Sequence, residues 1–324
     1  MMTKWTILVP LDGSPLSERA LPYAERLAEA TSARMVLCRT LAVFAARPAD
    51  DLDSADEARA YLQRLAEQLS NNGRTVETAL LWGEAAPEIL KQVRSAQAQL
   101  VVMGTHGRSG IGRWLYGSVA DEVLRHATVP ILLVPPGATM PWSANAAPRI
   151  VVPLDGSELS EAALGPAGEW AVRLGSEVAL LQVIPFPPYQ VYGDGSAYLA
   201  AFDSEAELAE AKRYLATVAE RLPSSMGPLR VLAELGQPAV AIAQRAAMEK
   251  FDLIAMATHG RSGLARLVLG SVATGTLQHA NVPVLLVRPA ALRERARLKL
   301  TIGSEEKGEH SYDDDQLETR VRTA

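Results

Sequence analysis

The sequence is poor in the residues that announce chemistry by themselves. Among its 324 residues there is one cysteine, four phenylalanines and five histidines. A single cysteine excludes an internal disulfide, and Cys38, within the apolar run Met35-Val36-Leu37, reads as a buried reduced thiol. No apolar run approaches the ~18 residues of a membrane-spanning helix, and Met1-Met2-Thr3-Lys4-Trp5 leads directly into a strand pattern, so neither a membrane segment nor a signal peptide is expected. The expected location is the cytoplasm. Neither charge sign dominates: 32 Lys and Arg against 37 Asp and Glu leave a net charge of −5, which gives no basic surface for nucleic acid or an anionic membrane. Small molecules and proteins remain as partners. Also missing are Gly-x-x-x-x-Gly-Lys-Ser/Thr, a Gly-x-Gly-x-x-Gly after the first strand and a Gly-x-Ser-x-Gly elbow. Their absence argues against a P-loop NTPase, a dinucleotide fold and an α/β hydrolase.

What is present is a repeat. Met103-Gly104-Thr105-His106-Gly107-Arg108-Ser109-Gly110, with Gly117-Ser118 beyond, returns as Met256-Ala257-Thr258-His259-Gly260-Arg261-Ser262-Gly263 with Gly270-Ser271. Upstream, Ile7-Leu8-Val9-Pro10-Leu11-Asp12-Gly13-Ser14 returns as Ile150-Val151-Val152-Pro153-Leu154-Asp155-Gly156-Ser157. The first pair is offset by 153 residues and the second by 143, so the second copy carries about ten extra residues. The expected division is 1–137, a proline-rich linker 138–147, 148–289, and a charged tail 290–324 whose composition favours disorder.

Within each copy, short β-branched apolar runs alternate with helical spacing. In the first, strands are expected at Thr6–Leu11, Arg34–Thr40, Thr75–Leu81, Leu100–Met103 and Pro130–Val134; helices are expected from Ser17 to Ala28, Ser54–Leu69, Ala86–Arg94 and Ser118–His126. The second repeats the strands near Ile150–Leu154, Val178–Val183, Leu229–Glu234, Leu253–Ala257 and Val284–Val287. Strands apolar throughout need cover on both faces, and helical crossovers make their pairing parallel. The fold class is therefore α/β, two doubly wound parallel sheets. The extra residues fall at Pro185 to Ser196, where proline and glycine exclude regular helix.

Ligands of such sheets bind beyond the carboxyl ends of the strands, where the loops after strands one and four meet. Those are the loops that the repeat preserves. Gly104, Gly107, Gly110, Gly112 and Gly117 clear side chains from backbone N–H groups, and Gly117-Ser118 opens a helix whose dipole favours an anion. Arg108 and Arg113 can offset phosphate charge or simply be solvated. With no further ligand nearby in sequence, His106 and His259 read as loop braces rather than metal or catalytic residues. No catalytic or metal-ligating residue is assigned.

The spacing Gly104-x-x-Gly107, nine residues, Gly117-Ser118, together with Pro10-Leu11-Asp12 and the closing Val129-Pro130-Ile131-Leu132-Leu133-Val134, resembles the ATP-binding signature of the universal stress protein family, written twice. The resemblance implies five-stranded sheets of strand order 3-2-1-4-5, like those of adenine nucleotide alpha hydrolases, paired as a pseudo-twofold intrachain dimer. It implies ATP, or ADP or AMP, with or without Mg²⁺. Pro10 and Asp12 would border the adenosine, Thr40 the adenine through its backbone, and Met103 the base; Gly104, Gly107, Gly117, Ser118 and Val119 would wrap ribose and phosphates. The matching residues are Pro153, Asp155, Val183, Met256, Ala257, Gly260, Gly270, Ser271 and Val272.

Ala257 departs from the signature, which has glycine there. A Cβ costs about 1 kcal/mol where φ is positive and little elsewhere. With the insert after Val183, this leads to the expectation that the first site binds nucleotide more tightly. The expected function is a cytoplasmic ATP-binding stress-response regulator acting on an unidentified protein partner, more a binder than an enzyme, with homodimerisation of the tandem chain open. The alternatives are a slow Mg²⁺-dependent ATPase or phosphotransferase, and an interaction module whose pockets hold no nucleotide. One further expectation concerns edges: the exposed apolar strands at Val129–Val134 and Val282–Val287 should pair antiparallel with each other.

Overall fold

A computed structural model describes residues 5–42, 48–70, 74–105, 117–138, 142, 146–187, 190–191, 197–198, 202–227, 229–259 and 269–289. The tail from residue 290 lies outside the described residues, as do most of the glycine-rich loops (106–116 and 260–268).

The first copy runs β1 (Thr6–Pro10), α1 (Pro15–Glu18), α2 (Ala20–Thr31), β2 (Arg34–Leu41), α3 (Pro48–Ser70), β3 (Val76–Trp82), α4 (Ala85–Ser95), β4 (Leu100–Gly104), α5 (Ser118–His126) and β5 (Ile131–Val134). Two elements depart from expectation. The single helix expected after β1 is broken at Arg19: α1 is one turn, capped by the Ser14 hydroxyl, which accepts from the Ser17 N–H at 3.2 Å, and α2 starts afresh at Ala20. Helix α3 begins six residues before Ser54, at Pro48, a proline well suited to a first turn because its missing N–H would have had no partner there.

The second copy runs β6 (Arg149–Pro153), α6 (Glu158–Glu161), α7 (Leu164–Leu174), β7 (Glu177–Ile184), β8 (Gln190–Val191), β9 (Ala197–Tyr198), α8 (Ser204–Arg221), a 3₁₀ turn (Ser224–Met226), β10 (Leu229–Leu235), α9 (Pro238–Met248), β11 (Leu253–Ala257), α10 (Ser271–His279) and β12 (Val284–Val287). Strands β8 and β9 form a small antiparallel ribbon in the insert. Among the described residues, this ribbon and the 3₁₀ turn have no counterpart in the first copy.

Each copy has strand order 3-2-1-4-5, and the two fuse into one ten-stranded sheet, β10-β7-β6-β11-β12-β5-β4-β1-β2-β3. All neighbours are parallel except at the seam, where β12 and β5 run antiparallel with Val284 opposite Leu133, Leu285 opposite Leu132 and Leu286 opposite Ile131. The edge strands thus cover each other. Strand β1 is buried along its whole length because helices pack on both faces. One core gathers residues of α2, α3, α7 and α8, the other of α4, α5, α9 and α10, and each continues across the seam. At the seam, Trp5 and Trp170 meet edge to face with centroids 5.0 Å apart, and Arg173 lies 4.2 Å from the Trp5 ring. Among the described residues no helix is long and apolar enough to cross a membrane.

Candidate functional site

Each copy makes its loop after the first strand in the same way. Asp12 Oδ1 accepts from the Ser14 N–H at 2.9 Å, and Asp155 Oδ1 accepts from the Ser157 N–H at 3.0 Å, a turn that aspartate favours because its short side chain reaches its own backbone two residues on. Gly13 and Gly156 take φ of +83° and +85°, where an L side chain is strained. The Ser157 hydroxyl adds a second donor to Asp155 Oδ1 at 2.6 Å. Both carboxylates are therefore engaged in shaping their loops.

The loop after the fourth strand is closed just as regularly. The Gly117 N–H donates to the Thr105 carbonyl and the Gly270 N–H to the Thr258 carbonyl, both at 2.7 Å. A Cβ on Gly270 would lie 3.3 Å from that carbonyl oxygen, and one on Gly117 3.7 Å from its equivalent. These glycines cap α5 and α10, and their own amides are spent. The first turn of a helix has no intrahelical acceptor for its N–H groups, so the open donors belong to Ser118, Val119 and Ala120, and to Ser271, Val272 and Ala273.

In the second copy, the two loops enclose a cavity of about 560 Å³, within the roughly 300–1,000 Å³ of small-molecule sites. Its wall includes Pro153, Asp155, Val183, Met256, Ala257, Gly270, Ser271 and Val272, so eight of the nine residues singled out in this copy share one cavity. The ninth, Gly260, lies outside the described residues. Ala257 is the last residue of β11, paired with Val287; among described non-glycine residues positive φ occurs at Ser32, Gln97 and Lys250, so Ala257 carries no backbone strain. His259 is buried, with Nδ1 3.0 Å from the Thr258 hydroxyl, and also faces the cavity. Val183, Ile184 and Pro185 bring the start of the insert to the rim.

In the first copy, Pro10 ends β1 and Asp12 lies in the loop after it, Thr40 pairs with Leu81 near the end of β2, and Met103 and Gly104 end β4 beside Leu133 and Val134. Gly117, Ser118 and Val119 stand at the start of α5. Gly107, with His106, Arg108, Gly110, Gly112 and Arg113, lies outside the described residues.

Helix α8 supplies a wall that sequence reasoning missed. Glu207, Glu210, Ala211 and Tyr214 face the cavity, with Gln182 from β7 and Ser160 from α6. Tyr214 donates its hydroxyl to Glu161 Oε1 at 3.0 Å, as Tyr61 donates to Glu18 Oε1 at 2.9 Å. Burial, followed by the adjoining carboxylate, pushes both phenols well above the usual tyrosine range, so both are neutral donors at physiological pH. The signal was in the repeat: Tyr61 and Tyr214 keep the 153-residue offset, and Glu18 and Glu161 the 143-residue one. Among the described residues no group of three His, Cys, Asp or Glu side chains could hold a metal ion.

The profile of the Universal stress protein family matches residues 5–135 and 147–288. A universal stress protein of Mycolicibacterium smegmatis is 29% identical over 301 residues, covering 89% of this chain and 98% of the relative. One of Mycobacterium tuberculosis is 30% identical over 298 residues, covering 87% and 96%. Among solved structures, a putative universal stress protein from Pseudomonas aeruginosa superposes with a TM-score of 0.65 at 18% identity, covering 92% of this chain and 98% of that one. A universal stress protein from Archaeoglobus fulgidus gives 0.65 at 20% identity, covering 87% and 98%. These two structures bear on the fold.

Proposed function

Since the chain belongs to the universal stress protein family, we propose that it is a stress-response regulator that binds adenine nucleotide, ATP or its ADP and AMP relatives, beyond the carboxyl ends of the strands. Nucleotide occupancy changes its shape or its hold on a protein partner. The observation that carries this reading is the cavity of the second copy, where the Asp155 loop and the three open amides of Ser271, Val272 and Ala273 converge on one space. Apolar walls from Val183, Ile242 and Met256 suit a base, and the start of α10 suits phosphate oxygens. A Mg²⁺ ion would be held chiefly by the nucleotide's own phosphates. Residues present fit a nucleotide without requiring turnover: Asp155 and Asp12 hold their loops, which favours a binder over a phosphotransferase.

The test exploits the first turn of α10. Ser271→Pro removes an N–H at a position where proline suits a helix, and Ser271→Ala removes only the hydroxyl. Calorimetric titration with ATP should show about tenfold weaker binding for the proline variant than for the alanine variant, at similar melting temperatures. Equal affinity in the two would remove the Ser271 amide from the site. ADP release from Mg·ATP should stay at background; steady turnover lost in Asp155→Ala would favour the enzyme reading instead.

A further inference from the structure

Among the positions at which the two copies differ in the site wall, one exchanges a long cation for a shorter neutral side chain. Arg39 in β2 and Gln182 in β7 are repeat equivalents, offset by 143 residues on strands that align residue for residue. Around Gln182, Gly156 and Tyr214 both face the open cavity. Around Arg39, their equivalents Gly13 and Tyr61 are both in contact with the guanidinium. A Cβ on Gly13 would lie 3.1 Å from Arg39 Nη1, and the Arg39 guanidinium carbon lies 5.3 Å from the Tyr61 ring centre. The space between the loop after the first strand and the helix after the second, α3 or α8, is open in the second copy and holds a side chain in the first.

We propose, resting on the nucleotide reading above, that Arg39 occupies the first site as a built-in pseudo-ligand, so that the second site takes nucleotide first and the first opens only when Arg39 swings away. The chemistry of the two side chains supports this. A guanidinium is long, planar and weakly hydrated, and gains from lying over an aromatic ring; Arg64, 5.6 Å from the same ring centre, adds a second cation. The second copy has Gln182 and Thr217 at these positions. Gln182 is shorter, and its Oε1 is buried without a hydrogen-bond partner at the cavity wall, an acceptor left for an N–H or O–H of the ligand. When the competent conformation is a minor one, apparent affinity falls by its population. Removing the side chain that fills the site restores it. The signature alone ranks the first site tighter; the side chains rank it second.

Calorimetric titration with ATP, AMP and adenosine on the wild type, Arg39→Gln, Arg39→Ala and Gln182→Arg tests the proposal. The wild type should show one tight site and one about tenfold weaker. Both Arg39 variants should show two sites within about threefold of each other, and Gln182→Arg should weaken the tight site about tenfold. If the Arg39 variants weaken the first site, Arg39 is a ligand for the nucleotide and the proposal is wrong. Amide hydrogen exchange without nucleotide separates this idea from the nucleotide reading. Residues 12–18 should be better protected than 155–161 in the wild type, with the difference lost in Arg39→Gln. Equal protection in the wild type overturns the pseudo-ligand whatever the titrations give. No binding of any of the three ligands by any variant overturns the nucleotide reading, while exchange still decides whether Arg39 closes the first copy.

Discussion

Leu132 lies directly opposite Leu285, its own counterpart in the repeat, at the centre of the antiparallel seam. On either side, Leu133 faces Val284 and Ile131 faces Leu286, so the register is symmetric and the pseudo-twofold axis passes through this pair. Both leucines are 2% exposed. Each single change to alanine should cost about 2–5 kcal/mol in denaturant unfolding. Because the two touch, the double variant should depart from additivity by about 0.5–3 kcal/mol. Additive losses within experimental scatter would mean that the seam does not bring these residues together.

His126 ends α5 on the first side of that seam. Its Nδ1 is buried without a hydrogen-bond partner, and the neighbouring Arg125 carbonyl accepts from Arg288, across the seam. Burial first, then the Arg288 cation, with Arg125 adding and Glu122 opposing, lowers its pKa from the ordinary 6.5. A depressed histidine stabilises the fold while neutral, so its contribution is present above about pH 6.5 and is lost as pH falls through the folded pKa. Melting temperature should therefore drop more between pH 7 and pH 5 in the wild type than in His126→Gln. Parallel pH profiles would remove His126 from the acid sensitivity.

Cys38 is fully buried on β2, and burial pushes its thiol up to about 12. A thiol reagent at pH 8 should label it only as fast as the protein unfolds. Labelling within minutes, at a rate independent of stability, would contradict its placement.

Gly275 in α10 packs so closely on α9 that an added Cβ would lie 2.6 Å from the Ala239 Cβ. Gly275→Ala must push the two helices apart, and overpacking of this kind costs about 1–3 kcal/mol. Since Pro238, Ile242 and the first turn of α10 border the cavity, nucleotide affinity should fall with stability. Alanine tolerated with unchanged affinity would show that α9 and α10 pack less tightly.

Much of this architecture could be read from residue order. The all-apolar runs Ile7–Val9 and Ile150–Val152 required cover on both faces, and the repeated Asp-Gly-Ser and Gly-Ser pairs fell where the loops converge. The break at Arg19 was not legible, because Arg19 has helical backbone angles and nothing in its sequence distinguishes it from a mid-helix residue. The α8 wall was missed because Glu207, Glu210 and Tyr214 look like the solvated face of an amphipathic helix. Arg39 against Gln182 was passed over for a physical reason: a polar residue near a strand end is ordinary, and its importance comes from what stands across the gap, which only the fold brings there.

The most direct test of the account is mass spectrometry of the small molecules released when purified protein is denatured, combined with equilibrium dialysis of the intact protein against ATP. An adenine nucleotide is expected in the released fraction, or saturable uptake on dialysis, with the tighter site weakened by Ser271→Pro and left intact by Ser118→Pro. A chain that releases no adenine nucleotide and takes up none on dialysis would contradict it.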